Sequence, residues 1–163
     1  MKNLLAVLIV LFAAHSVGFS QHLGSSIEKL SNEADMILTG KVVERESQWD
    51  AGKTKILTKV KIKVDEYLKD ESNQKEIFVT QLGGEVGGIG EIYSHMPRFK
   101  NDEEVLLFLK KDKAVQNNYK VLNGEDGKIT LYNDARQGER VTASNEKISV
   151  LRERIRSYVH LHK

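Results

Sequence analysis

Between Lys55 and Leu68 apolar and charged side chains alternate almost without a break. Ile56, Val60, Ile62 and Val64 fall on one parity, and Lys55, Lys59, Lys61 and Lys63 on the other. Successive side chains of an extended chain point to opposite faces, so this pattern is a long strand with one face buried and the other in water. Such a strand needs partners for its edges and a cover for its apolar face, and the flanking sequence supplies them. Met36 to Arg45 is rich in aliphatic residues, and the turn residues Asp50-Ala51-Gly52-Lys53 join it to the lysine-bearing strand as a hairpin. Glu76 to Leu82 is a third strand. Glu104 to Lys110 is a fourth, centred on Val105-Leu106-Leu107-Phe108-Leu109. Tyr119 to Leu122 and Lys128 to Tyr132 are expected to form a last hairpin around Glu125-Asp126-Gly127.

The expected fold is therefore mainly β: a small antiparallel barrel of the oligonucleotide/oligosaccharide-binding (OB) kind. Closure of five or six short strands removes the exposed sheet edges. A short helix over Ser25 to Glu33 precedes the barrel, with Ser25 and Glu28 at capping-box spacing and Ile27, Leu30 and Ala34 on one side. After a polar link from Asn133 to Thr142, Ile148, Leu151, Ile155 and Tyr158 recur at helical spacing opposite Arg152, Arg154 and Arg156, predicting a C-terminal amphipathic helix. Ile37, Val42, Val60, Ile62, Val64, Ile77, Val79, Leu107 and Leu109 are the expected core.

The first twenty residues have a different character. Lys2 precedes an apolar run from Leu4 to Ala14, and the small residues Gly18 and Ser20 fit the −3 and −1 positions of a signal-peptidase site. The apolar run would span only about 16 Å as a helix, against about 30 Å of bilayer hydrocarbon. Residues 1–20 are expected to be a cleaved secretory signal peptide, residues 21–133 the barrel, and residues 134–163 the link and closing helix. The address is then secreted or periplasmic, with no transmembrane segment after cleavage. Cysteine is absent from the sequence. That excludes disulfide staples, thiolate-bound zinc and thiol chemistry, so an apolar core must hold the domain unaided. The formal charge is +2 and falls to +1 once Lys2 is removed, which gives no global pull toward nucleic acid or membrane.

Five of the twelve glycines lie in Gly83-Gly84-Glu85-Val86-Gly87-Gly88-Ile89-Gly90. Phosphate-binding motifs do not fit: no Gly-Lys-Ser/Thr follows, and Gly88-x-Gly90 continues to Tyr93 rather than to glycine. The segment is either a loop that contacts a partner or a tight structural crossover. Ser94-His95-Met96-Pro97-Arg98-Phe99 follows. Phe99 is expected to plug the barrel end, and His95 and Arg98 are candidates for contact. His160-x-His162 and His22 sit near the ends of the chain with no carboxylate in helical register, and no metal site or cofactor is expected. No serine or threonine occupies a nucleophile-elbow setting, and no catalytic group is expected. The row Lys59, Lys61, Lys63, with Lys41 beside it, could grip an anionic polymer. It lacks stacking aromatics and ends at Asp65 and Glu66, which favours a solvated face that blocks edge pairing.

The order of these segments resembles a known family. A helix running into Glu33-Ala34-Asp35-Met36-Ile37-Leu38-Thr39-Gly40-Lys41-Val42-Val43 comes first. Then come Val64-Asp65-Glu66-Tyr67-Leu68-Lys69, Ile77-Phe78-Val79-Thr80, Val105 to Leu109, and Asp126-Gly127-Lys128-Ile129-Thr130-Leu131. The pattern is similar to the netrin-like barrel of the tissue inhibitors of metalloproteinases. It also resembles uncharacterised bacterial secreted proteins that carry the glycine-rich segment before Pro97-Arg98-Phe99. The resemblance implies the barrel and a protease-regulating role. The inhibitors' amino-terminal cysteine and disulfides have no counterpart here, so no inhibitory residue carries over. The expectation is a monomeric, non-catalytic binding module whose partner is an envelope or extracellular protein, not nucleic acid. Contact would be through Gly83, Gly84, Gly87, Gly88, Gly90, His95 and Arg98. The alternatives are a metal-dependent hydrolase using His95 with the terminal histidines, and a binder of anionic polysaccharide on the lysine strand.

Overall fold

Asp50 holds the turn of the first hairpin. Its carboxylate accepts from the amides of Thr54 at 2.6 Å and Lys55 at 3.1 Å, and its own amide donates to the Lys55 carbonyl at 2.9 Å. The turn joins β1 (Met36–Trp49) to β2 (Ile56–Lys69), which pair antiparallel along nearly their whole length. Register shifts at Ile37/Leu38, Thr39/Gly40 and Val42/Glu44 interrupt the ladder. Such bulges add twist and bend, which lets two long strands curl into a wall instead of a flat ribbon.

The computed structural model describes residues 27–161 except 71, 114, 116 and 137. The expected signal peptide, Ser25, His22 and His162 lie outside the described residues. No helix among the described residues is long and apolar enough to cross a membrane.

β3 (Glu76–Leu82) pairs antiparallel with β2, and β6 (Glu104–Lys111) pairs antiparallel with the first half of β1. β7 (Asn118–Val121) bridges the gap, running antiparallel to β6 and parallel to β3 through Phe78↔Asn118 and Val79↔Tyr119. The ring β1-β2-β3-β7-β6-β1 is a closed five-stranded, OB-like barrel. Four short or peripheral strands lie outside that ring: β4 (Gly84–Val86) and β5 (Ile89–Glu91) form a separate hairpin, and β8 (Lys128–Asp134) with β9 (Glu139–Val141) extends the β6 side.

Two expectations are corrected here. The hairpin predicted around Glu125-Asp126-Gly127 does not form, because β7 and β8 both pair with β6, one after the other along the same edge. Val121 faces Leu109, the Leu122 amide donates to the Phe108 carbonyl at 2.9 Å, and Lys128 faces Leu107. Residues 122–127, including the 3₁₀ turn Gly124–Gly127, are thus an extrusion opposite one residue of β6. Turn chemistry signals a reversal but cannot say whether the chain doubles back or bulges out and resumes. The segment expected to be a polar link is also partly ordered, since β8 runs on to Asp134 and folds back as β9.

The unbroken apolar run of β6 has a structural explanation. Val105, Leu107 and Leu109 point into the barrel with Met36, Leu38, Val42, Val60, Ile62, Ile77, Val79, Phe99 and Tyr119. Leu106 and Phe108 point outward and are covered by helix α1 (residues 27–33) and helix α2 (Ile148–Leu161), through Ile27, Leu30, Ile148, Leu151 and Ile155. A strand buried on both faces has no polar parity left to alternate. Ile37, expected in the core, belongs to this outer layer, and Val64 is partly buried against the inner one. The Lys69 ammonium anchors the end of α1 by donating to the carbonyls of Ser31 at 2.8 Å and Asn32 at 3.1 Å. Arg152 and Arg156 tie α2 to Glu66 on β2 at 2.9 and 2.6 Å.

Candidate functional site

The glycine-rich segment is a β-hairpin docked on the barrel. Gly87 and Gly88 occupy its two-residue turn with φ of 59° and 81°. Paired positive φ values are what a tight hairpin turn of matching twist requires, and glycine alone adopts them without steric cost. The base of the hairpin is held differently. The Gly83 amide donates to the Ile56 carbonyl at 2.8 Å, and the Gly83 carbonyl accepts from the Thr58 hydroxyl at 2.6 Å. Gly84, with φ of 138°, lies against the hydrogen-bonded Ser47–Thr58 hydroxyl pair, and a β-carbon there would collide with both oxygens. Gly83 is buried and serves this docking, whereas Gly87, Gly88 and Gly90 are exposed.

Glu91 locks the return strand. Its Oε2 accepts from the Ile56 amide at 2.9 Å and from the Tyr93 hydroxyl at 3.1 Å. Desolvation, together with the hydrogen bond to Glu91 and its charge, raises the Tyr93 pKa and keeps the phenol a donor. The carboxylate is therefore committed to fixing the hairpin and is not placed as a general base. The hairpin and the two residues that follow it present apolar surface: Ile89 is 56% exposed, Ile92 85% and Tyr93 37%. The glycines shape the backbone of this segment, and these side chains are what it holds out to solvent. Ile92 had no distinguishing sequence signal, because exposure of one isoleucine after a strand depends on where the hairpin lands.

The following loop divides as the sequence suggested for Phe99, which is 2% exposed and fills the barrel interior. The Arg45 guanidinium donates to its carbonyl. His95, with φ of 61°, is 81% exposed at its side chain, 3.5 Å from Glu125 Oε1, and its carbonyl accepts the Glu125 amide at 2.9 Å. Arg98 is exposed. The described residues contain no group of three or more His, Cys, Asp or Glu able to hold a metal ion. His160 lies near the exposed end of α2.

Sequence reasoning missed a buried ion pair at the mouth of the barrel. Lys128 Nζ lies 2.6 Å from Glu103 Oε1, with side chains only 9% and 11% exposed. Thr130 donates to the same carboxylate oxygen at 2.6 Å, the Lys100 amide donates to the other at 3.0 Å, and the ammonium stands 5.3 Å from the Phe99 ring centroid. Every group in this cluster has a partner, which marks it as structural reinforcement and not a vacant acid–base site.

No protein-family model matches this sequence, and no curated protein matches it significantly. The functional reading therefore rests on the residues themselves.

Proposed function

We propose that the protein is an exported, non-catalytic binding module that engages an envelope or extracellular protein through the β4–β5 hairpin. The observation that carries this reading is the exposed set Ile89, Ile92 and Tyr93, on and directly after a hairpin whose base is clamped by Gly83, Gly84 and Glu91. A rigid platform holding two aliphatic side chains and a tyrosine in water has the make-up of an interface centre, where apolar and aromatic anchors contribute most of the binding. The filled barrel interior supports external recognition, since Phe99, Met36 and Leu107 leave the inside to side chains. The leader supports export, and the netrin-like resemblance makes an extracellular protease the first partner class to test.

Affinity capture from the native envelope, with the protein as bait, tests the reading when run beside two variants. Ile92→Asp should abolish retention of the partner while thermal melting is unchanged, because the side chain is already in water. Gly87→Val should weaken retention through turn conformation alone, since a β-carbon there meets no atom within 4 Å. Full retention by Ile92→Asp would overturn the assignment of the hairpin as the contact.

A further inference from the structure

The outer wall of β2, β3 and β7 carries a second surface, separate from the hairpin tip. Alternation points Leu57, Lys59, Lys61 and Lys63 outward on β2 and Phe78 and Thr80 outward on β3, while Val60, Ile62, Ile77 and Val79 fill the barrel. Register then sets Lys59 opposite Thr80, Lys61 opposite Phe78, and Phe78 beside Asn118. The stretch Lys59 to Lys63 has no aromatic of its own, yet the neighbouring strand provides one: the Lys59 ammonium lies 4.0 Å from the Phe78 ring centroid. A depression of about 300 Å³ opens here, and Gln48, Leu57, Lys59, Phe78, Thr80 and Asn118 are among its walls.

The polar groups in it are oriented. Thr80 donates to Asn118 Oδ1 at 2.8 Å, and Asn118 Nδ2 donates to Asp112 Oδ2 at 3.2 Å, which fixes the amide and leaves the Thr80 oxygen its acceptor capacity. The charges are uneven. Lys61 is neutralised by Glu76 at 3.0 Å, but no ion pair engages Lys59 or Lys63 among the described residues. Four residues apart on one strand, those two ammonium groups project from points about 13 Å apart, too far for one carboxylate to bridge. A ligand using both must carry repeated negative charge.

We propose that this wall binds an acidic oligosaccharide of the uronic-acid type. One sugar carboxylate takes the Lys59 ammonium, drawing it off the ring. The exposed face of Phe78 then receives the C–H face of a pyranose, and Gln48 and Thr80 hydrogen-bond its hydroxyls. A second carboxylate further along the chain meets Lys63. Single-stranded nucleic acid suits the wall less well. Base recognition uses successive stacking aromatics in a continuous basic groove, whereas here there is one ring, and Glu76 and Asp112 break the positive charge.

The test is titration of the purified protein with a galacturonic-acid hexamer, a neutral glucose hexamer and a single-stranded oligonucleotide. The acidic hexamer should bind, more weakly as salt is raised. Phe78→Ala and Lys59→Gln should each weaken it about tenfold or more, and Lys61→Gln by no more than about twofold, because that charge is already paired. Ile92→Asp should leave it unchanged, which separates this site from the hairpin reading. Should Phe78→Ala melt early, Lys59→Gln decides the matter, since its side chain is exposed. The proposal is overturned by absence of binding, by equal binding of the neutral hexamer, by tighter binding of the oligonucleotide, or by undiminished affinity in Lys59→Gln.

Discussion

Replacing Lys128 by methionine isolates the energetics of the buried ion pair. The substitution keeps an unbranched side chain out to the ε position and removes the ammonium group with its charge. Glu103 then loses a donor at 2.6 Å and the opposite charge, in a position where only about a tenth of either side chain reaches water. Breaking a buried pair by deleting one partner costs about 3–5 kcal/mol, because the remaining charge is left uncompensated. Thr130 and the Lys100 amide still donate to the carboxylate, which places the expected loss at the lower end, about 3 kcal/mol, or a fall of roughly 10 °C in Tm for a domain of this size. In the native protein, burial pushes the Glu103 carboxyl up, but hydrogen bonds from Lys128, Thr130 and Lys100, with the charge of Lys128, outweigh it and hold the group below the usual carboxylate range. Its contribution to stability is fully present above the ordinary glutamate value and is lost as pH falls through the lower folded one. In Lys128→Met the hydrogen bond and the charge of Lys128 no longer hold the Glu103 carboxyl down, so it takes up a proton at higher pH than in the native protein. The deficit relative to the native protein is therefore largest at neutral pH and shrinks in acid. Urea melts at neutral and mildly acidic pH measure this, together with the Glu103→Gln/Lys128→Met double variant, which should recover at least about 1.5 kcal/mol relative to additivity. A Lys128→Met loss below about 1 kcal/mol, or single costs that simply add, would refute the argument.

Leu107→Ala, inside the barrel, should cost about 2–5 kcal/mol in urea melts, and Lys61→Ala, on the outer face, less than about 1; equal losses would mean that the two faces of the barrel wall had been misassigned. Gly84→Ala should detach the hairpin, because its β-carbon meets the Ser47 and Thr58 hydroxyls. Faster amide exchange at Ile56 and Gly83, with the barrel amides still protected, is the expected signature, and unchanged exchange would sink it.

What the sequence determined by itself is what depends on neighbouring residues. The two-residue period of β2 placed the lysines outside and Val60 and Ile62 inside, the Asp50 turn placed the first hairpin, and the helical spacing of Ile148, Leu151 and Ile155 placed the closing helix. Each follows from side-chain direction along one element, which is local geometry. The run Val105 to Leu109 marked a strand, but that both of its faces are buried, and what covers each, came only from the packing. The tertiary structure alone decided the rest, because it depends on which edges meet. Ring closure needed the parallel β3–β7 contact, and one edge of β6 takes β7 and β8 in succession where turn residues suggested a hairpin. Long-range register put Phe78 beneath Lys59, Lys128 against Glu103 and Ile92 in water. The candidate surfaces are made of such juxtapositions between distant segments, and nothing in the spacing along the chain encodes them.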